Sequence, residues 1–187
     1  MANTGFTLTG LGANNADAGN NAWTTPTNAQ ADDAAYANSA FTVVPQTSQY
    51  LHCTTFGFAV DAGATIDGII VRVPRSQVIV GVHQIQDNNI ILIKGGTRSG
   101  TDKADTATNW PTTDTNKDYG TATDLWGNTL TPADVNATNF GVAIRCKNSG
   151  DDDGTARVDA VWIDVNFTLG GAPAGVRRTL ALMGAGR

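Results

Sequence analysis

From Tyr36 onward the chain alternates apolar and polar residues with a period of two, the pattern of a strand with one face buried. Between Ser48 and Val60, Phe56, Phe58 and Val60 alternate with Gly57 and Ala59. From Ile66 to Val73, Ile69, Val71 and Val73 share one face and Ile70 and Arg72 the other, with Pro74 ending the strand or marking an edge. Strands are also expected over Ala37 to Val44, and over Val78 to His83 and Asn89 to Lys94 as a hairpin pair joined by a polar link. Phe140, Val142, Ile144 and Cys146 point inward from one further strand. The last strand, Arg157 to Thr168, sets Val161, Ile163, Val165 and Phe167 against Trp162, Asp164 and Asn166.

The flanks read differently. Residues 1–35 hold few apolar positions and predict an early strand near Phe6 to Gly10, then a long loop anchored on the core by Trp23. Residues 95–131 form a polar connection rich in Thr and Asp that carries Trp110, Tyr119 and Trp126. Thr131 followed by Pro132 signals a helix start, so one helical turn is expected there. After Leu169 a Gly-rich hinge leads into a basic arm. The organisation is therefore an N-terminal strand and loop segment (1–35), a core (36–169) and a C-terminal arm (170–187). About eight strands and almost no helix predict an all-β fold, an antiparallel jelly-roll-like β-sandwich with extended N- and C-terminal segments.

Composition agrees. All 17 acidic residues are Asp, and Lys occurs only at 94, 103, 117 and 147, so the usual fillers of exposed helix faces are missing. With 187 residues and 41% hydrophobics the chain suits one domain with a real core. No run approaches the roughly 18–20 apolar residues of a membrane helix, and the N-terminus lacks the basic and apolar regions of a signal peptide. A net charge of −5 with dispersed Arg residues argues against nucleic acid as a partner. Cys53 and Cys146 sit in apolar runs and read as buried free thiols, a bridge between neighbouring strands being the alternative.

Chemical motifs are sparse. His52 and His83 lie within strands, and no serine stands in a nucleophile elbow, so no catalytic residue, metal or cofactor is expected. The Asp151 to Gly154 run and the Asp32–Asp33 pair beside Tyr36 read as turns in preference to sites for a hard cation, the first as a hairpin turn. Trp110, Tyr119 and Trp126 either pin their connection to the sandwich or form a platform for a sugar ring. In the arm, Arg177, Arg178, Leu180, Leu182, Met183 and Arg187 are candidate partner-binding residues, a basic and apolar set on an acidic chain.

A series of short motifs spans Trp23 to Phe167: Trp23 with Pro26 to Ala29, Asp32 to Tyr36, Phe56 to Val60, Ile66 to Ile69, Lys94 to Gly96, Asp124 to Gly127 and Phe140 to Ile144. In order and spacing it resembles β-sandwich domains of structural proteins of tailed bacteriophages. The resemblance implies a non-enzymatic virion component, assembled in the host cytoplasm and forming a homo-oligomer, with neither nucleic acid nor membrane as partner. The favoured reading is a capsid decoration or cement protein docked through its arm on the major capsid protein or on tail components. The alternative is a tail-fibre or baseplate module that binds a host surface glycan through Trp110, Tyr119 and Trp126.

Overall fold

The computed structural model describes residues 1–42, 46–79, 84–149 and 153–170. His83, Asp151, Asp152 and all six arm residues singled out above lie outside them. Among the described residues thirteen strands run in the order β1 (Ala2–Asn3), β2 (Thr7–Leu8), β3 (Leu11–Asn15), β4 (Ala37–Phe41), β5 (Gln46–Thr47), β6 (Tyr50–Thr54), β7 (Thr65–Ile79), β8 (Ile85–Lys94), β9 (Thr97–Ser99), β10 (Thr115–Gly120), β11 (Gly141–Asn148), β12 (Gly154–Val158) and β13 (Trp162–Thr168). One helical turn, α1 (Pro132–Asn136), precedes β11. Thr131 caps it in a reciprocal box with Asp134, as the Thr-Pro signal predicts.

The strands form two antiparallel sheets. In the first, β7 pairs with β10 on one side and with β12 and β13 on the other, and β4 pairs with β12. In the second, β6, β11, β8 and β9 are neighbours in that order. The chain passes between the sheets in the alternation of two Greek keys, which makes the sandwich a jelly roll. Residues 1–35 belong to it: β1 and β2 extend the first sheet along β13, β3 extends the second along β6, and Trp23 and Ala29 are core residues. Trp23 anchors its loop as expected, its indole N–H donating to the Gln49 carbonyl at 2.8 Å.

The core between the sheets is filled by inward rows: Ile69, Val71 and Val73 of β7, Ile163 and Val165 of β13, Leu51 and Cys53 of β6, Ile90 and Leu92 of β8, and Val142, Ile144 and Cys146 of β11. Both cysteines are free and buried, as read from the sequence.

Four expectations need correction. The Ile66 strand does not end at Pro74. The carbonyl of Pro74 accepts from the Asp159 N–H at 3.1 Å, so the position of its missing N–H faces the gap where β7 changes partner from β13 to β12. The Val78 and Asn89 segments are no hairpin, because β7 and β8 belong to different sheets. For the same reason β11 and β12, the strands on either side of the Asp-rich run, do not pair as a hairpin. Residues 55–60 form no strand: Thr55 (φ 61°) and Gly57 (φ 73°) turn the backbone out of extension. Phe56, Phe58 and Val60 are nonetheless buried, the two rings stacked at 5.5 Å and Phe58 edge-on to Phe140.

Candidate functional site

The three aromatic residues proposed as a sugar platform are core residues: Trp110 is 1% exposed, Tyr119 4% and Trp126 0%. Their faces lie between the sheets, and each polar tip meets a buried partner. The Trp126 indole N–H donates to the Ile69 carbonyl at 3.0 Å, from a backbone with φ 57°. Gly120 makes room for that ring, since a Cβ there would stand 2.5 Å from Trp126 Nε1.

Trp110 and Tyr119 converge on an ion pair. Arg75 continues the inward row of β7, and Asp87 faces it from β8, so the pair crosses from one sheet to the other with side chains 3% and 0% exposed. Asp87 Oδ1 also accepts from Trp110 Nε1 at 2.7 Å, and Oδ2 from the Tyr119 hydroxyl at 3.0 Å and the Asp105 N–H at 2.9 Å. The Tyr119 oxygen in turn accepts from Arg75 Nη1 at 2.7 Å. Gln77, next on the same row, receives the Ile85 N–H at 2.7 Å and donates to the Trp110 carbonyl. Burial and the nearby Asp87 carboxylate push the Tyr119 hydroxyl well above the ordinary phenol range.

A β-bulge delivers Asp87 to this position. Opposite Arg145 and Cys146 stand Asn89 and Asp87, so Asn88 is the extra residue and the alternation inverts there: Ile90 and Leu92 face inward on one side of it, Ile85 and Asp87 on the other. Both Asp87 oxygens are satisfied from within the described residues, while Arg75 Nε is buried without a hydrogen-bond partner there, and the chemistry of the network is that of a structural tie between sheets.

A second cluster sits at the surface. Asp32, Asp114 and Asp159 come from three separate segments, and one carboxylate oxygen from each lies within 4.8 Å of the others. Asp159, in the break between β12 and β13, is buried and accepts from the N–H groups of Asp33 at 3.4 Å and Ala34 at 3.2 Å, the latter held at φ 64°. Burial, opposed by those two N–H groups and reinforced by Asp32 and Asp114, raises the Asp159 carboxyl to about 6. Burial and the Asp32 charge also raise Asp114. Three oxygens so placed are close enough to share a proton or to ligate a hard cation. The sequence singled out Asp32 and Asp33; Asp114 and Asp159 join them only through tertiary structure.

The outer face of the first sheet carries a fourth tryptophan, Trp162. Trp162 is partly exposed, opposite Leu8 of β2 and Arg72 of β7. Arg72 meets Asp118 of β10 in a two-bond pair, both bonds 2.7 Å long, and its guanidinium lies 4.0 Å from the centre of the Phe6 ring. The alternation of the last strand sets Trp162 and Asp164 on the face opposite Val161, Ile163 and Val165, which is the signal the sequence offers for this surface.

No family model and no curated protein matches the chain. Among solved structures it is similar to one described as "CBM4 structure and function", at 12% identity and a TM-score of 0.39, over 87% of this chain and 95% of that one.

Proposed function

We propose that this chain is a non-enzymatic structural component of a tailed-phage particle, a capsid decoration or cement protein that docks through residues 170–187. The observation that carries the reading is the partition of charge about the end of β13. Nine of the twelve Lys and Arg residues and all seventeen Asp lie within 1–169, giving −8, while the eighteen residues that follow carry three Arg and no acid, giving +3. Leu169, just past the end of β13, is 61% exposed. A basic, apolar segment joined to an acidic body suits docking on an acidic groove of a neighbouring subunit. Leu180, Leu182 and Met183 would each contribute about 1.5–3 kcal/mol on burial, before the cost of ordering, while Arg177, Arg178 and Arg187 pair with acids.

The test is incorporation into particles. Full-length chain and a chain truncated after Gly170 are expressed during particle assembly, and purified particles are examined by electron cryo-microscopy and for bound protein. The reading expects density over the shell for the full chain and none for the truncated one, with the truncated body still folded by circular dichroism. Normal incorporation of the truncated chain, or density confined to the tail tip, overturns it.

A further inference from the structure

We infer that the outer face of the first sheet, around Trp162, is a binding surface for a neutral oligosaccharide. The inference is independent of where the chain sits on a particle, and it moves the sugar-binding surface from the buried Trp110, Tyr119 and Trp126 to a different face of the fold.

The register builds the surface. Residues directly opposite one another on antiparallel strands point to the same face. Leu8, Trp162, Arg72 and Asp118 are successive opposites on β2, β13, β7 and β10, so they form one row across four strands. At the spacing of neighbouring strands the row is roughly 14 Å long, room for a short oligosaccharide. Phe6 lies beside the row under the Arg72 guanidinium and is 39% exposed. Asp164, two residues along β13, is opposite Ile70 on the same face, with the Thr4 hydroxyl 3.4 Å from its Oδ1.

The chemistry of the row selects the ligand class. A sugar ring presents a flat patch of C–H groups rimmed by hydroxyls, each both donor and acceptor. Here an indole and a phenyl ring supply apolar surface, and Trp162 Nε1 and Arg72 Nη1 are donors without a partner among the described residues. Asp118 supplies carboxylate acceptors held in place by the two-bond pair, its side chain 42% exposed. Arg72 and Asp118 neutralise each other, and the body around them is acidic, so a polyanion is disfavoured and a neutral polyol is matched.

The same arrangement provides the assay. Trp23, Trp110 and Trp126 are at most 3% exposed, so Trp162 is the described tryptophan open to an aqueous quencher. The full chain is titrated with short oligomers of glucose, of N-acetylglucosamine and of galactose, following iodide quenching of tryptophan emission and the heat of binding. One series is expected to bind and to shield Trp162 from iodide. Trp162→Ala and Arg72→Gln should each weaken that binding about tenfold or more, and Trp162→Phe, which keeps an aromatic ring, by less. Circular dichroism and thermal melting verify that the variants are folded. The inference is overturned if no series binds, or if folded Trp162→Ala binds as tightly as the parent. It is equally overturned if shielding follows protein concentration alone, because the face is then covered by a second copy of the chain.

Discussion

Arg75 and Asp87 are joined across the interior of the sandwich, one from each sheet, with both side chains out of contact with solvent. A buried pair of this kind is costly to break, because removing one partner strands the other charge. Arg75→Met is expected to lower the unfolding free energy by about 3–5 kcal/mol, read from the urea midpoint. The double replacement Arg75→Met with Asp87→Leu should recover part of that loss, less than an isolated pair would allow, since Trp110 Nε1 and the Tyr119 hydroxyl lose their acceptor. A double variant no more stable than the single one would assign the loss to those two donors.

Trp126 fills the core with no exposed surface, so its replacement is a stability experiment. Trp126→Ala should destabilise by about 3–5 kcal/mol, through the cavity and the unpaired Ile69 carbonyl, while leaving oligosaccharide binding unchanged under conditions where the variant is folded. Chemical denaturation and calorimetry on one sample check both parts.

From these two groups, Asp105 and Asp159, stability should peak at about pH 4, where Asp105 is ionised and Asp159 in the folded chain still holds its proton. Asp159 is raised to about 6 in the folded chain, so its contribution is fully present below the ordinary carboxyl range near 3.8 and is lost as pH rises through 6. Asp105 is the opposite case: bonds to Lys117 and Thr108 lower it to about 2, and its contribution is lost as pH falls from 3.8 toward that value. Thermal melting across this range should show a fall of a few degrees between pH 5 and 7 that Asp159→Asn abolishes. An unchanged slope in that variant would place the titration elsewhere.

Cys53 and Cys146 should resist a thiol reagent in the native state. Burial raises both thiols, Cys146 to about 12, so neither offers thiolate at neutral pH. Two thiols per chain should become reactive only on denaturation, and a reagent assay with and without urea reads this directly.

The cap of α1 gives a smaller effect. Thr131→Ala removes the hydroxyl that accepts from the Asp134 N–H at 3.2 Å and should cost about 1 kcal/mol.

Period-two alternation made the jelly roll legible because β7, β11 and β13 each bury one face, so their inward rows stand out in the bare sequence. It failed where the backbone breaks the period. Residues 55–60 keep the alternation and the burial but lose the strand to two left-handed residues, a feature no side-chain pattern records. Asp87 was read as part of a polar link because the bulge at Asn88 inverts the facing of the residues before it. Arg75 follows Pro74, which looked like a strand end, and a charge on an apparent terminus gave no reason to expect a core position. The carboxylate cluster draws on residues 32, 114 and 159, a proximity that only the folded chain creates. The sequence leaves the aromatic connection open between a pin and a platform because polar neighbours surround Trp110 and Trp126, and the pin holds because the partners of their indoles lie on β8 and β7.

The pairing of β1 with β13 has a mechanical consequence. Ala2 stands opposite Phe167, and the strands are antiparallel, so the two ends of the described chain emerge side by side at one corner of the sandwich. A force drawing them apart would load the bonds between these strands one pair at a time, peeling them like a zipper instead of shearing the whole ladder at once. Pulled by both ends, the sandwich would yield first at this corner, and a load-bearing attachment would be stronger with a single terminus engaged.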